Sequence, residues 1–303
     1  METSESNFRV LSIQSHVVYG YVGNKSACFP LQVLGFEVDM INSVQLSNHT
    51  GYESIKGQIL KADELTELYD GLKTNNLLHC SHLLTGYVGS VSFLTKLSDI
   101  IKEMKKNNPD LYVVIDPVMG DNGQMYVPDE VLPVYKNDFM NLANLMTPNQ
   151  FEAELLTGIT IKSKESVFQV LKAFHEKGVE TVVLSSVQLE TSKNLFLFGS
   201  SIKKNKETSV YMEIPKLSGV YTGTGDVFTA LLLAWMARTD GDLKLSCQRT
   251  INSLHSILIR TSNYASKESN LPTSARVELK LIQSKHDIEN PPSHLECHQL
   301  ESN

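Results

Sequence analysis

Short apolar runs rich in β-branched residues alternate along this chain with longer stretches of helical period. Parallel strands joined by crossover helices demand that pattern, because a parallel pair cannot be closed by a tight turn and its strands are buried on both faces. The runs predict strands at Val10–Ile13, Val38–Val44, His82–Leu84, Leu111–Ile115, Asn144–Met146 and Thr181–Leu184. Leu195–Phe198 and Val210–Ile214 follow closely enough to form a hairpin or a sheet edge. Helices fall between them. Leu65, Leu68 and Leu72 mark one, while Phe93, Leu97, Ile100, Ile101 and Met104 stripe another. Val227–Ala237 and Ser246–Tyr264 are apolar enough to pack against the sheet. The fold expected is α/β: a central, mostly parallel sheet with helices on both faces.

At 303 residues, with no internal repeat and no Gly/Ser linker, the chain reads as one domain over residues 1–288. The polar tail 289–303, with Pro291-Pro292, is expected to be disordered. An excess of 34 acidic over 27 basic residues gives a net charge of −7, which argues against nucleic acid or an anionic membrane as partner. Met1–Asn7 lacks a signal-peptide pattern, and the longest apolar run, Phe228–Ala237, is about half of a membrane span. Cys28, Cys80, Cys247 and Cys297 are widely spaced, as expected of reduced thiols in the cytoplasm. The cluster His294, Cys297 and His298 lies in the polar tail, where it reads as chance.

In open parallel sheets ligands bind beyond the carboxyl ends of the strands. Those ends are polar here: Gln14-Ser15-His16, Asn48-His49-Thr50, Gly86-Tyr87, Asp116-Pro117, Thr147-Pro148-Asn149 and Ser185-Ser186. The sharpest local signal is Tyr221-Thr222-Gly223-Thr224-Gly225-Asp226, a glycine turn running into an apolar helix. Glycines let backbone N–H groups approach a phosphate, and the helix dipole favours negative charge there. Asp226 reads either as a helix cap or as a base. Asp116 and Asp121 flank a tight turn that suits either a plain turn or magnesium at a nucleotide. Asn149 and Glu152 have capping-box spacing, with a magnesium–phosphate role as the alternative. The chain has no G-x-x-x-x-G-K-[ST], G-x-G-x-x-G, G-x-S-x-G or H-E-x-x-H, which removes the main support for P-loop, dehydrogenase, esterase and zincin readings.

Taken in order, Leu11-Ser12-Ile13-Gln14-Ser15-His16-Val17, Gly20-Tyr21-Val22-Gly23-Asn24 and Phe29-Pro30-Leu31-Gln32-Val33-Leu34-Gly35 resemble the pyridoxal kinase family of the ribokinase-like superfamily. So do Asn42–Gln45, Ser47–Tyr52, Leu84–Tyr87, Asp116–Asp121, Thr147–Glu154 and Gly223–Asp226, and the resemblance spans Phe8 to Asp287. It implies ATP-dependent phosphorylation of the 5′-hydroxymethyl group of pyridoxal, pyridoxine or pyridoxamine by a cytoplasmic homodimer. By the same resemblance Asp226 is the base and Gly223, Thr224 and Gly225 supply an anion hole. Ser15, Val22, His49, Thr50 and Tyr87 frame the acceptor. Asp116, Tyr126, Asn149, Glu152, Ser185 and Ser186 face ATP together with Thr224 and Gly225. Magnesium would be held by Asp121 with Glu152, and Asp116 and Thr147 would lie near potassium or sodium. The chain departs from the family pattern at Leu46, where many animal members carry an aromatic, in a short Gly120–Met125 stretch, and in the uncharged Val88-Gly89-Ser90. Hydroxymethylpyrimidine or sugar phosphorylation, and a catalytically silent B6-binding protein, are the competing expectations.

Overall fold

The computed structural model describes residues 8–190, 192–203 and 206–300, so Met1–Asn7 lies outside the described residues. Its strands are β1 (Arg9–Val17), β2 (Glu37–Leu46), β3 (Gly57–Ile59), β4 (His82–Thr85), β5 (Tyr112–Ile115), β6 (Gly120–Asp121), β7 (Gln124–Met125), β8 (Leu145–Met146), β9 (Thr181–Val187), β10 (Leu195–Lys203), β11 (Lys206–Ile214) and β12 (His298–Leu300). Ten of them form one sheet in the order β12-β11-β10-β9-β8-β5-β4-β1-β2-β3, while β6 and β7 pair as a separate hairpin. From β2 to β9 neighbouring strands run parallel, and β3, β10, β11 and β12 extend the edges antiparallel.

The strand residues alternate between two cores, as the period-2 geometry of a strand requires. Val113 and Ile115 of β5 face one core and Val114 the other; Val182 and Leu184 of β9 are likewise separated by Val183. Helices Ala62–Thr74, Val91–Asn107, Gln150–Thr157 and Lys164–Glu176 cover the first face, through Leu65, Phe93, Ala153 and Phe174 among others. Helices Asn24–Val33, Thr224–Arg238 and Leu243–Lys267 cover the second, through Leu31, Phe228 and Cys247. All eight strand segments expected from the apolar runs are present, and β10 and β11 do form a hairpin, with Leu195 opposite Ile214 and Lys203 opposite Lys206.

The segment from residue 289 departs from expectation. Over residues 290–300 it folds onto the helix Leu243–Lys267: Asn252 Nδ2 donates to the Leu295 carbonyl (2.8 Å), and Asn252 Oδ1 accepts from the N–H groups of His294 (3.0 Å) and Leu295 (2.9 Å). Cys297 is buried, and β12 pairs with β11. Order here comes from backbone hydrogen bonds, to which side-chain composition is blind. Asn252→Ala strands three backbone groups at about 1–3 kcal/mol for each one left unsatisfied. We expect a loss of about 2–4 kcal/mol, read as a lower urea midpoint at unchanged m-value.

Candidate active site

The chain leaves β1 for β2 on one side and returns to β4 on the other, which makes the carboxyl ends of β1 and β4 a topological switch point. β1 runs to Val17, beyond its apolar run, because it stays paired with β2 through a register shift: Gln14 faces Asn42 but His16 faces Gln45. The following loop folds back to bridge Gly23 with His16. A Cβ on Gly23 would lie 1.9 Å from the Ser15 carbonyl and 2.4 Å from Ser15 Oγ, so only glycine brings the backbone this close. On β4's side, a Cβ on Gly86 would meet Gln14 Oε1 at 2.4 Å, and one on Gly89 would meet the Tyr87 hydroxyl at 2.6 Å. Tyr87 packs on the first core and is half-buried, which raises its pKa.

Gly223 caps the helix Thr224–Arg238 in the left-handed conformation (φ 82°), and a Cβ there would lie 2.1 Å from the Tyr21 carbonyl. Asp226 follows in the first turn and accepts a hydrogen bond from the Gly23 N–H to Oδ2 (2.8 Å). The loop after β1 and the start of the helix Thr224–Arg238 therefore meet at these two contacts. Burial pushes the Asp226 carboxyl up to about 6, against the lowering effect of the Gly23 N–H.

Asp116, at the end of β5, is buried beside this helix: Thr229 Oγ1 donates to Asp116 Oδ2 (3.3 Å), and Thr147 Oγ1 lies 2.8 Å from Thr229 Oγ1. A Cβ on Gly225 would lie 3.6 Å from Asp116 Oδ2, which sets the carboxylate against the glycine turn. Burial, then the charges of Glu152 and Asp226, hold Asp116 well above the usual carboxylate range. Burial also raises Glu152, although the N–H groups of Asn149 (2.9 Å), Met119 (3.0 Å) and Gly120 (3.5 Å) all donate to it. Among the described residues none of these three carboxylates forms an ion pair. Unneutralised acid of this kind is a donor set that suits a cation. No three His, Cys, Asp or Glu side chains among the described residues form a cage of their own, which fits an ion that also takes phosphate oxygens and waters.

Other expected residues take more local parts. Asn149 and Glu152 close the capping box: Asn149 Oδ1 accepts from the Glu152 N–H (2.9 Å) while Asn149 Nδ2 donates to the Gly120 carbonyl (2.8 Å). Together they tie the Asp116–Asp121 turn to the helix Gln150–Thr157. Asp121 stands exposed on the β6–β7 hairpin, bonded to the N–H (2.8 Å) and side chain (3.0 Å) of Asn122, with its charge felt by Glu152. Tyr126 is exposed next to that hairpin, and Ser185 and Ser186 are half-buried on β9, the Ser185 N–H donating to the Pro148 carbonyl (3.2 Å). Val22 is half-buried on the loop after β1 and Thr50 exposed on the loop after β2.

His49 is buried with both ring nitrogens engaged: Nδ1 accepts from the Gly51 N–H (3.0 Å) and Nε2 lies 3.1 Å from Glu278 Oε1. Glu278 and Thr229 are the residues that motif reading misses. Thr229 had a signal, being the one hydroxyl within Val227–Leu233. Glu278 had none.

The doubly covered parallel sheet, with a glycine turn entering a helix beside buried carboxylates, matches the ribokinase-like α/β fold of solved small-molecule kinases. The family model described as phosphomethylpyrimidine kinase matches residues 36–271. Human pyridoxal kinase is 48% identical over 302 residues, covering 95% of this chain and 97% of that protein. The sheep enzyme is 49% identical at the same coverage. The solved structure of pyridoxal kinase from Leishmania donovani in complex with ADP and pyridoxamine superimposes with a TM-score of 0.90 at 34% identity, covering 97% of this chain and 100% of that one. The chain belongs to the pyridoxal kinase family.

Proposed function

We propose that this protein transfers the γ-phosphoryl group of ATP to the 5′-hydroxymethyl group of pyridoxal, and also of pyridoxine and pyridoxamine, in vitamin B6 salvage. The observation that carries the reading is Asp226, held by the Gly23 N–H in the first turn after Gly223-Thr224-Gly225. Asp226 accepts the hydroxyl proton as the alcohol oxygen bonds to phosphorus and the bond to ADP breaks. The amides at the helix start stabilise the charge on the moving phosphoryl group. Ser15, Val22, His49, Thr50 and Tyr87 frame the acceptor. Asp116, Tyr126, Asn149, Glu152, Ser185 and Ser186 line the nucleotide side.

Magnesium, when bound with ATP, neutralises phosphate charge; Asp116, Glu152 and the rim residue Asp121 are the groups to hold it. Potassium or sodium fits the oxygen-rich group formed by Thr147, Thr229 and Asp116. A cytoplasmic homodimer belongs to the same proposal. Among the described residues no helix is long and apolar enough to cross a membrane.

The test is ADP release with Mg-ATP and potassium on pyridoxal, pyridoxine, hydroxymethylpyrimidine and ribose. Preference for the B6 vitamers supports the reading; preference for hydroxymethylpyrimidine replaces it. Pyridoxal binding without ADP release means a silent binding protein. A pH dependence follows from the base. With its pKa raised to about 6, Asp226 is ionised above that pH and protonated below it, so kcat/KM on pyridoxal is expected to fall about tenfold per pH unit on the acid side. A flat profile down to pH 5 contradicts this assignment.

A further inference from the structure

We propose that Glu278 is a positioning residue for the acceptor, clamping the two loops that frame it and fixing the tautomer of His49; its kinetic consequence rests on the pyridoxal reading above. Glu278 comes from the chain just after the helix Thr273–Arg276, and its carboxylate is 5% exposed. Both of its oxygens are engaged. Oε2 accepts the Tyr21 N–H (2.9 Å), and Oε1 accepts the Tyr52 hydroxyl (2.9 Å) and lies 3.1 Å from His49 Nε2. Gly20 (φ 87°) passes so near that a Cβ would lie 2.1 Å from Oε1. Burial alone would raise the carboxyl, but the hydrogen bonds from His49, Tyr52 and Tyr21 hold it below the usual range, so it is an anion at neutral pH.

A buried carboxylate satisfied by three donors can be a plain structural knot. What distinguishes this one is the destination of each tie. The Tyr21 N–H is held by Glu278 while the Tyr21 carbonyl abuts Gly223 of the anion hole, and two residues later the Gly23 N–H holds Asp226. Residues 20–23 are therefore stretched between Glu278 and the base. On the second loop, His49 Nδ1 accepts from Gly51, so the ring proton resides on Nε2 and points at Glu278. With both nitrogens occupied, His49 offers a flat heterocycle its ring, lying 4.8 Å from that of Tyr52, and exchanges no proton with it. Ser274, from the same C-terminal segment, adds a hydrogen bond to the Gly51 carbonyl (2.7 Å).

Glu278→Gln keeps the shape and removes the charge. Because misplacing a binding group by about 1 Å can cost about 10²-fold, kcat/KM for pyridoxal is expected to fall by about that factor while KM for ATP stays within about twofold. In ¹⁵N-resolved spectra of the full-length protein, His49 is expected as the Nε2–H tautomer in the wild type, with the Nε2–H resonance shifted in the variant as its acceptor changes from a carboxylate to a neutral amide. A kcat/KM near wild type with an unchanged His49 signature overturns the proposal, as does an equal loss for both substrates. Should Glu278→Gln not fold, Tyr52→Phe removes one donor without exposing a charge; it is expected to raise acceptor KM several-fold, and no change in acceptor KM refutes the clamp. If the wild type does not phosphorylate pyridoxal, the substrate reading fails, and the His49 spectra still decide the role of Glu278.

Discussion

Asp226→Asn is expected to lower kcat on pyridoxal by about 10²–10⁴ while leaving ATP affinity within about twofold, because a positioned general base contributes on that scale. Asparagine is the sharper substitution, since its oxygen can still accept the Gly23 N–H that Asp226 accepts at 2.8 Å, so the two loops stay joined. What disappears is the proton acceptor. The acid limb of the pH profile should vanish with it, since that limb reports ionisation of this carboxyl. Steady-state kinetics and ATP titration by calorimetry check both parts. Retention of more than a tenth of wild-type kcat would assign the proton to another group.

Gly223→Ala carries the second large effect. The residue sits at φ 82°, a conformation costing a non-glycine residue roughly 1–2 kcal/mol, and its Cβ would fall 2.1 Å from the Tyr21 carbonyl and 3.0 Å from Ser26 Oγ. The Tyr21 carbonyl is main chain and cannot swing aside as the Ser26 hydroxyl can, so the backbone has to move. The amides that follow then swing away from the phosphoryl group, and losing one such donor costs about 10²–10³ in rate. Gly158→Ala is the matched control: it has φ 74°, open space around its Cβ position, and a place at the end of the helix Gln150–Thr157, away from the site. Both variants are expected to lower Tm, and only Gly223→Ala to lower kcat. Equal kcat in the two would separate the glycine turn from catalysis.

The sequence announces those parts of the fold whose signal is local. Val113-Val114-Ile115 is apolar on both faces because both faces are covered, and that alone marks a central parallel strand. The capping spacing of Asn149 and Glu152 is equally local, and it forms as read. The helix Asn24–Val33 is hidden because Pro30 interrupts its pattern, and its hold on the sheet depends on Ala27 and Leu31 meeting the helix Thr224–Arg238. Residues 290–300 look disordered because their order resides in main-chain bonds to Asn252 and β11. At the site, the glycine turn and the polar strand ends are legible. The contact between Gly23 and Asp226 is not, since no pattern of spacing encodes a pairing across 203 residues.

The bond between Tyr21 and Glu278 joins residues 257 apart. Synthesis at about 5–20 residues per second separates them by tens of seconds. The loop after β1 is thus secured only well after it is made. Until residue 278 has left the ribosome, a nascent chain can pair β1 with β2 but lacks the carboxylate that ties the Tyr21 N–H to His49 and Tyr52. The framing of these loops by Glu278 is therefore a late event of translation, completed only when the segment after the helix Thr273–Arg276 emerges.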